Sequence, residues 1–311
     1  MENNSQARWL RSTFFTAVVA SMIIGLVACG ENPQAELDGK LKVLATTTIV
    51  ADVVRQVGGN LIDLEVLLPV GTDPHTFAPT PQDLVKVSEA ELVFLNGVGL
   101  EAFLQTYLDN IGDNVQVAEV SYGVIVIKEP DGSEHDAGDP HTWTDPENVK
   151  IWVENIANAL SEVDPSHSES YRANAEAYQS KLDELDAWIE SQVAQIPQEE
   201  RKIVSDHETL AYFAQRYGFT QIGTVIPGTS TLSEPSAQEV AQLEDLIRTE
   251  DVQAIFVDTT ANPQLTERIS KDIDIKIVLI YSGSLTNTDG EAGSYLDYMR
   301  YNVLAIVEAL K

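Results

Sequence analysis

The sequence predicts an α/β protein of two lobes, each a mainly parallel sheet flanked by helices, with one long helix between them. Three observations predict it. Short β-branched apolar runs alternate with helically spaced segments along both halves, the rhythm of a parallel sheet covered by helices. A chain of 311 residues exceeds what one hydrophobic core usually organises, so two domains are expected. Between the halves, Tyr171, Ala175, Tyr178, Leu182, Leu185, Ile189 and Val193 keep helical spacing across residues 164–197.

Taken in order, residues 42–47 (KVLATT) read as a buried strand, and 49–58 as a helix stopped by Gly58-Gly59. Residues 61–68 alternate as a second strand. Residues 69–81 are a Pro-, Gly- and Thr-rich loop, followed by a helix at 82–89 and a third strand at 92–96. A helix at 100–111 and a strand near 115–119 complete the first rhythm. Residues 122–128 are apolar, and 129–140 are acidic and turn-rich. Asp145-Pro146 opens a helix, with Asp as N-cap and Pro at the first helical position. Asp164-Pro165 opens the long one, roughly 45 Å at about 1.5 Å per residue. It reads either as a stiff connector between lobes or as an ordinary long surface helix. The second half carries strands at 202–205, 221–225, 254–257 and 276–280, with helices at 210–217, 236–250, 264–271 and 295–310. The expected division is 41–163, 164–197 and 198–311.

The amino terminus reads as an address. Arg8 and Arg11 precede an apolar stretch at 14–27, about the length of a signal-peptide core and short for a membrane span. Leu26-Val27-Ala28-Cys29 resembles a bacterial lipobox. Cys29 is the single cysteine of the chain, which fits lipidation and leaves no intrachain disulfide. Residues 1–28 are thus expected to be a lipoprotein signal peptide and 29–40 a flexible tether; an uncleaved anchor helix is the alternative. Either way the bulk of the chain lies outside the cytoplasm, tethered to a membrane. A formal charge of −30 repels nucleic acid and anionic lipid surfaces, so neither is an expected partner.

The chemistry lies in the histidines. Of five, three share a setting: Asp73-Pro74-His75-Thr76-Phe77, Asp139-Pro140-His141-Thr142-Trp143, and Ser205-Asp206-His207-Glu208-Thr209. Imidazole is the commonest metal ligand. In open parallel sheets, ligands bind beyond the carboxyl ends of strands. His75 and His207 follow predicted strands, and His141 precedes a helix. A single histidine in a loop is more often a hydrogen-bonded loop residue. Three in one frame, with proline stiffening the backbone before two of them, predict a metal site between the lobes. His167 reads as surface, and Trp143 as packing or cleft lining.

These stretches, with Leu210-Ala211-Tyr212-Phe213, Tyr217-Gly218, Glu234-Pro235-Ser236 and Gly293-Ser294-Tyr295 followed by Met299, Tyr301 and Asn302, resemble the metal-binding lipoproteins of bacterial ABC importers for zinc and manganese, some once described as adhesins. The likeness spans nearly all of the chain after the leader. It implies two lobes joined by a rigid long helix, with His75, His141 and His207 as metal ligands. The family often places a fourth ligand, an Asp, where this chain has Gly283. Asp289 and Asp258 are the candidates to replace it, or water. Manganese receptors of the family tend to use two His and two carboxylates. Three imidazoles therefore point to Zn²⁺, with Mn²⁺ as the alternative. His135, in the acidic loop, is a trace of the longer histidine-rich loop of zinc receptors or a plain solvent residue. The resemblance implies a monomer partnered by an ABC permease and its ATPase. Three His plus water is also a hydrolase arrangement. No His-Glu-x-x-His helix is present, however, so no catalytic residue is assigned; a cell-surface adhesin with a structural metal is the other alternative.

Overall fold

A computed structural model describes residues 39–112, 115–128 and 137–311. The leader, Cys29 and His135 lie outside the described residues. Among the described residues, no helix is long and apolar enough to cross a membrane. Residues from Leu41 to Lys311 form one compact unit.

The first sheet is wholly parallel, in the order β2-β1-β3-β4. Its strands are β1 (Leu41–Ala45), β2 (Ile62–Val66), β3 (Leu92–Leu95) and β4 (Gln116–Glu119). Helices α1 (Thr48–Gly58), α2 (Pro81–Glu89) and the single turn α3 (Gln105–Leu108) connect them. Helix α4 (Pro146–Val163) follows, its N-cap Asp145 accepting from the Glu147 N–H as the Asp-Pro pair predicts. Helix α5 (Ser168–Val193) is the long one: its 26 residues give roughly 39 Å. Its buried residues are the seven with the predicted spacing.

The second sheet repeats the plan, parallel and ordered β6-β5-β7-β8. It contains β5 (Lys202–Ser205), β6 (Thr220–Thr224), β7 (Ala254–Asp258) and β8 (Lys276–Ile280). Helices α6 (Ala211–Tyr217), α7 (Ala237–Thr249), α8 (Gln264–Ile273) and α9 (Tyr295–Leu310) accompany it. A capping box at Ser236 and Glu239 starts α7, and Gly218 in the left-handed region ends α6.

Apolar packing runs unbroken from Val43 and Phe94 of the first sheet, through α4, α5 and α9, to Phe256 and Ile280 of the second. Hydrogen bonds cross the same centre. Buried Asp52 of α1 accepts from the Tyr295 N–H at the start of α9 (2.9 Å), and the Trp143 indole donates to the Ser282 carbonyl (3.0 Å).

One expectation differs from what forms. The helix at 100–111 shrinks to a 3-10 turn at Ala102–Leu104 and the short α3. The cause lies just upstream: Gly97, Val98 and Gly99 all have positive φ, and Glu101 turns inward instead of outward. Its carboxylate accepts from the Asn96 N–H (2.7 Å), the Gly97 N–H (3.1 Å) and the Thr46 hydroxyl (2.7 Å). Burial pushes this carboxyl up to about 6. Residues 122–128, read from sequence only as apolar, are turn and loop, and Ile125 is 91% exposed.

Candidate metal centre

Each histidine is delivered by a loop at the carboxyl end of a sheet. His207 follows β5, and His75 lies in the loop after β2. His141 precedes α4, and its loop is pinned to the first sheet. The Asn96 amide, just past β3, donates to the Pro140 carbonyl at 3.0 Å. β1 and β3, and likewise β5 and β7, are the strand pairs between which connections change direction, the crevice where such sheets bind ligands. Asn96 and Asp206 stand at those two crevices.

The three rings converge. His75 Nε2 lies 3.1 Å from His141 Nε2, which lies 3.3 Å from His207 Nε2. Their centroids are 5.1–5.4 Å apart. Among the described residues, one group of metal-capable side chains forms, and it consists of these three histidines. A tetrahedral cation bonded to nitrogens at about 2.0–2.1 Å holds them roughly 3.3–3.4 Å apart, close to the spacing found.

Carboxylates set the tautomers. Asp139 accepts from the His141 backbone N–H (2.9 Å) and pairs with its Nδ1 (2.7 Å); Asp206 does the same for His207 (2.9 and 3.2 Å). An acceptor at Nδ1 keeps the proton there and turns the Nε2 lone pair inward. The Tyr212 hydroxyl donates to the Asp139 carbonyl at 2.7 Å and steadies that loop. Trp143 packs behind His141, rings 5.2 Å apart.

The pocket favours neutral imidazoles at two positions. Burial, reinforced by the neighbouring His141, lowers His75 to about 3. Burial also holds His141 well below the usual histidine range. At His207 burial acts in the same direction, but the hydrogen bond and charge of Asp206, with Asp258 and Asp73 behind it, raise it above that range. Burial pushes Asp139 up to about 7. Its Oδ2 has no hydrogen-bond partner.

Neither fourth-ligand candidate joins the group. Asp289 is exposed in a turn closed by the Thr286 N–H on the Ala292 carbonyl. Asp258 is buried, but its carboxylate already accepts from the Thr260 (3.2 Å), Ser282 (3.1 Å) and Gly283 (3.4 Å) N–H groups. Its role is to hold those turns and add negative charge near His207. Gly283 has no space to offer a donor either: a Cβ there would sit 2.8 Å from Pro74 Cδ. His167 is on the surface, paired with Asp164. The open side of the centre is at half-buried His75, beside a cleft of about 400 Å³ lined by Phe103, Pro140 and Leu232, among others.

The carboxylates behind the rings are what sequence reading missed. An Asp one or two residues before each His was visible, and Asp commonly accepts from backbone N–H groups two residues on. Asn96 and Glu101 act from far away in sequence and left no local signal, and Tyr212 stood only within the resembling stretch, with no role assigned. Asp206→Asn keeps the shape but removes the charge behind His207. A competition titration is expected to give about 10–100-fold weaker zinc binding, with far-UV circular dichroism unchanged.

Comparison with known proteins finds similarity along most of the chain. A family model described as zinc-uptake complex component A, periplasmic (ZnuA), matches residues 43–309. The chain is 34% identical to the manganese-binding lipoprotein MntA of Halalkalibacterium halodurans, over 97% of this chain and 99% of that one. It is 34% identical to the manganese ABC transporter substrate-binding lipoprotein PsaA of Streptococcus mitis, over 93% and 95%. Its structure is similar to that of the Mn-bound periplasmic metal binding protein from Candidatus Liberibacter asiaticus, with a TM-score of 0.77 and 25% identity, over 88% of this chain and all of that one.

Proposed function

The chain belongs to the periplasmic zinc-uptake component A family, and we propose that it captures Zn²⁺ outside the cytoplasm between two lobes and delivers it to an ABC permease driven by an ATPase. It is a carrier and not an enzyme. The observation that carries the reading is the convergence of three Nε2 atoms on one point, each from a different loop. His75, His141 and His207 are the ligands, and water arriving past His75 completes the shell. Residues 41–163 and 198–311 act as the lobes, and 164–197 as the connector. Cys29 carries the lipid that tethers the protein to the outer face of the cell membrane.

Zinc is favoured by the donors: three borderline imidazoles and no carboxylate in the group suit Zn²⁺ better than Mn²⁺, which prefers hard oxygen. The second reading is manganese, supported by the names of the relatives. Affinity order alone does not separate the two, because Mn²⁺ binds more weakly than Zn²⁺ at almost any nitrogen site. The separating measurement is the metal content of cells lacking the protein. Loss of cell zinc with manganese unchanged is expected; loss of manganese alone replaces the zinc reading with the second. The carrier reading fails altogether if the purified protein takes up neither ion in a titration.

A further inference from the structure

The three histidines are not held alike. Asp139 and Asp206 each grip both the backbone and the ring of their own histidine. Asp73 accepts from the His75 N–H at 2.9 Å, but among the described residues no carboxylate reaches a ring nitrogen of His75. The second oxygen of Asp73 goes elsewhere. It accepts from the Thr231 hydroxyl at 2.6 Å, across 158 residues of sequence.

Thr231 belongs to the loop between β6 and α7, and that loop is rooted beside His207. The Ile226 N–H donates to the Asp206 carbonyl (2.7 Å), and the Glu208 N–H to the Gly228 carbonyl (3.0 Å). The Asp73–Thr231 bond therefore joins the loop of the least restrained ligand to a loop anchored at a firmly restrained one. The same loop contributes Ser230 and Leu232 to the wall of the cleft next to His75. His75 is the half-buried member of the three, whereas His141 and His207 are each 1% exposed. The path between solvent and the centre thus runs past His75 and beneath this tether.

Resting on the reading that the three histidines bind a metal ion, we propose that Thr231 is a positioning residue: through Asp73 it holds the His75 loop closed over the cation and so sets the rate of release, with His75 the first ligand to leave. The His75 loop has a second anchor, the Gly71 N–H on the Ser284 hydroxyl at 2.9 Å. Loss of the Thr231 hydroxyl therefore loosens one side of the loop without unfolding it.

The test loads the full chain with Zn²⁺, mixes it with excess fluorescent chelator in a stopped-flow instrument, and compares wild type, Thr231→Val and Thr231→Ser. Valine keeps the shape and deletes the donor; serine keeps the donor. Release from Thr231→Val is expected to be about tenfold faster and from Thr231→Ser within about twofold of wild type, the low end of what a lost hydrogen bond to a charged acceptor costs. The melting temperature of metal-free Thr231→Val should match wild type. Release from the valine variant at the wild-type rate overturns the proposal. So does faster release that serine does not restore and that comes with a lowered melting temperature, which marks a merely structural role. A wild-type protein that holds no zinc fails differently, removing the metal-binding reading itself.

Discussion

Alanine at His141 is expected to lower zinc affinity on the order of 100- to 1000-fold, more than any other single substitution in the protein. The figure follows from dividing the roughly 10–16 kcal/mol of a buried zinc site among about four donors, which leaves about 2.5–4 kcal/mol for each. His141 stands at the middle of the cluster, its Nε2 being the atom within 3.1 and 3.3 Å of the other two. At 1% exposure it cannot be replaced cheaply by solvent. Its removal also strips the ring from Asp139, a buried carboxylate with one oxygen already unpartnered. A competition titration against a chelator of known affinity reads the loss, and near-UV circular dichroism of the metal-free protein reports the packing of Trp143 behind the vacated ring. If affinity stays within a few-fold of wild type while the fold is intact, the three nitrogens do not share a cation.

Zinc affinity is expected to fall on acidification with the release of one to two protons per metal bound, and not three. Metal needs the lone pair of a neutral imidazole, so a proton on the ring competes with it. His75, held at about 3, and His141, held well below its usual range, are already neutral over the pH range in which most proteins stay folded. They contribute no competing proton there. His207 is raised, so affinity is complete above its range and declines as pH drops through it. The second proton comes from Asp139. With its pKa near 7 it is partly protonated in the free protein, and a cation on His141 favours its charged form. Between about pH 7 and 5 the affinity should therefore drop about 10- to 100-fold per unit. Titrations across that range, with proton release followed by calorimetry in buffers of different ionisation enthalpy, give the count directly. Three protons, the result for three unperturbed histidines, contradict this account of the pocket.

The fold was readable where one physical signal dominated. The buried face of α5 was visible residue by residue, because seven apolar side chains at helical spacing in an otherwise polar stretch leave one solution. The strands were placed to within one or two residues because each is short, β-branched and bounded by turns. The helix at 100–111 was overdrawn because its apolar spacing was real, while its start was decided by an inward-turned carboxylate that no local pattern announces. The centre divided in the same way. Three histidines in a common frame could be identified in sequence, and their convergence is geometric. The fourth ligand could not: Asp289 was plausible by its place in the chain, yet it is exposed in a turn, and Asp258 is already saturated by N–H groups. Packing at Gly283 against Pro74, a contact between opposite ends of the chain, is a fact of tertiary structure alone.

The closing helix α9 has a consequence for how such a chain is made. It packs on α1, α5 and β8 at once, and its first N–H caps onto Asp52, 243 residues upstream. Helix α1, the first among the described residues, thus waits for α9. Until α9 has left the ribosome and crossed the membrane, the middle of the molecule is missing a wall. A polypeptide that must be threaded outward before it compacts gains time from that arrangement, since contacts of such long range form late.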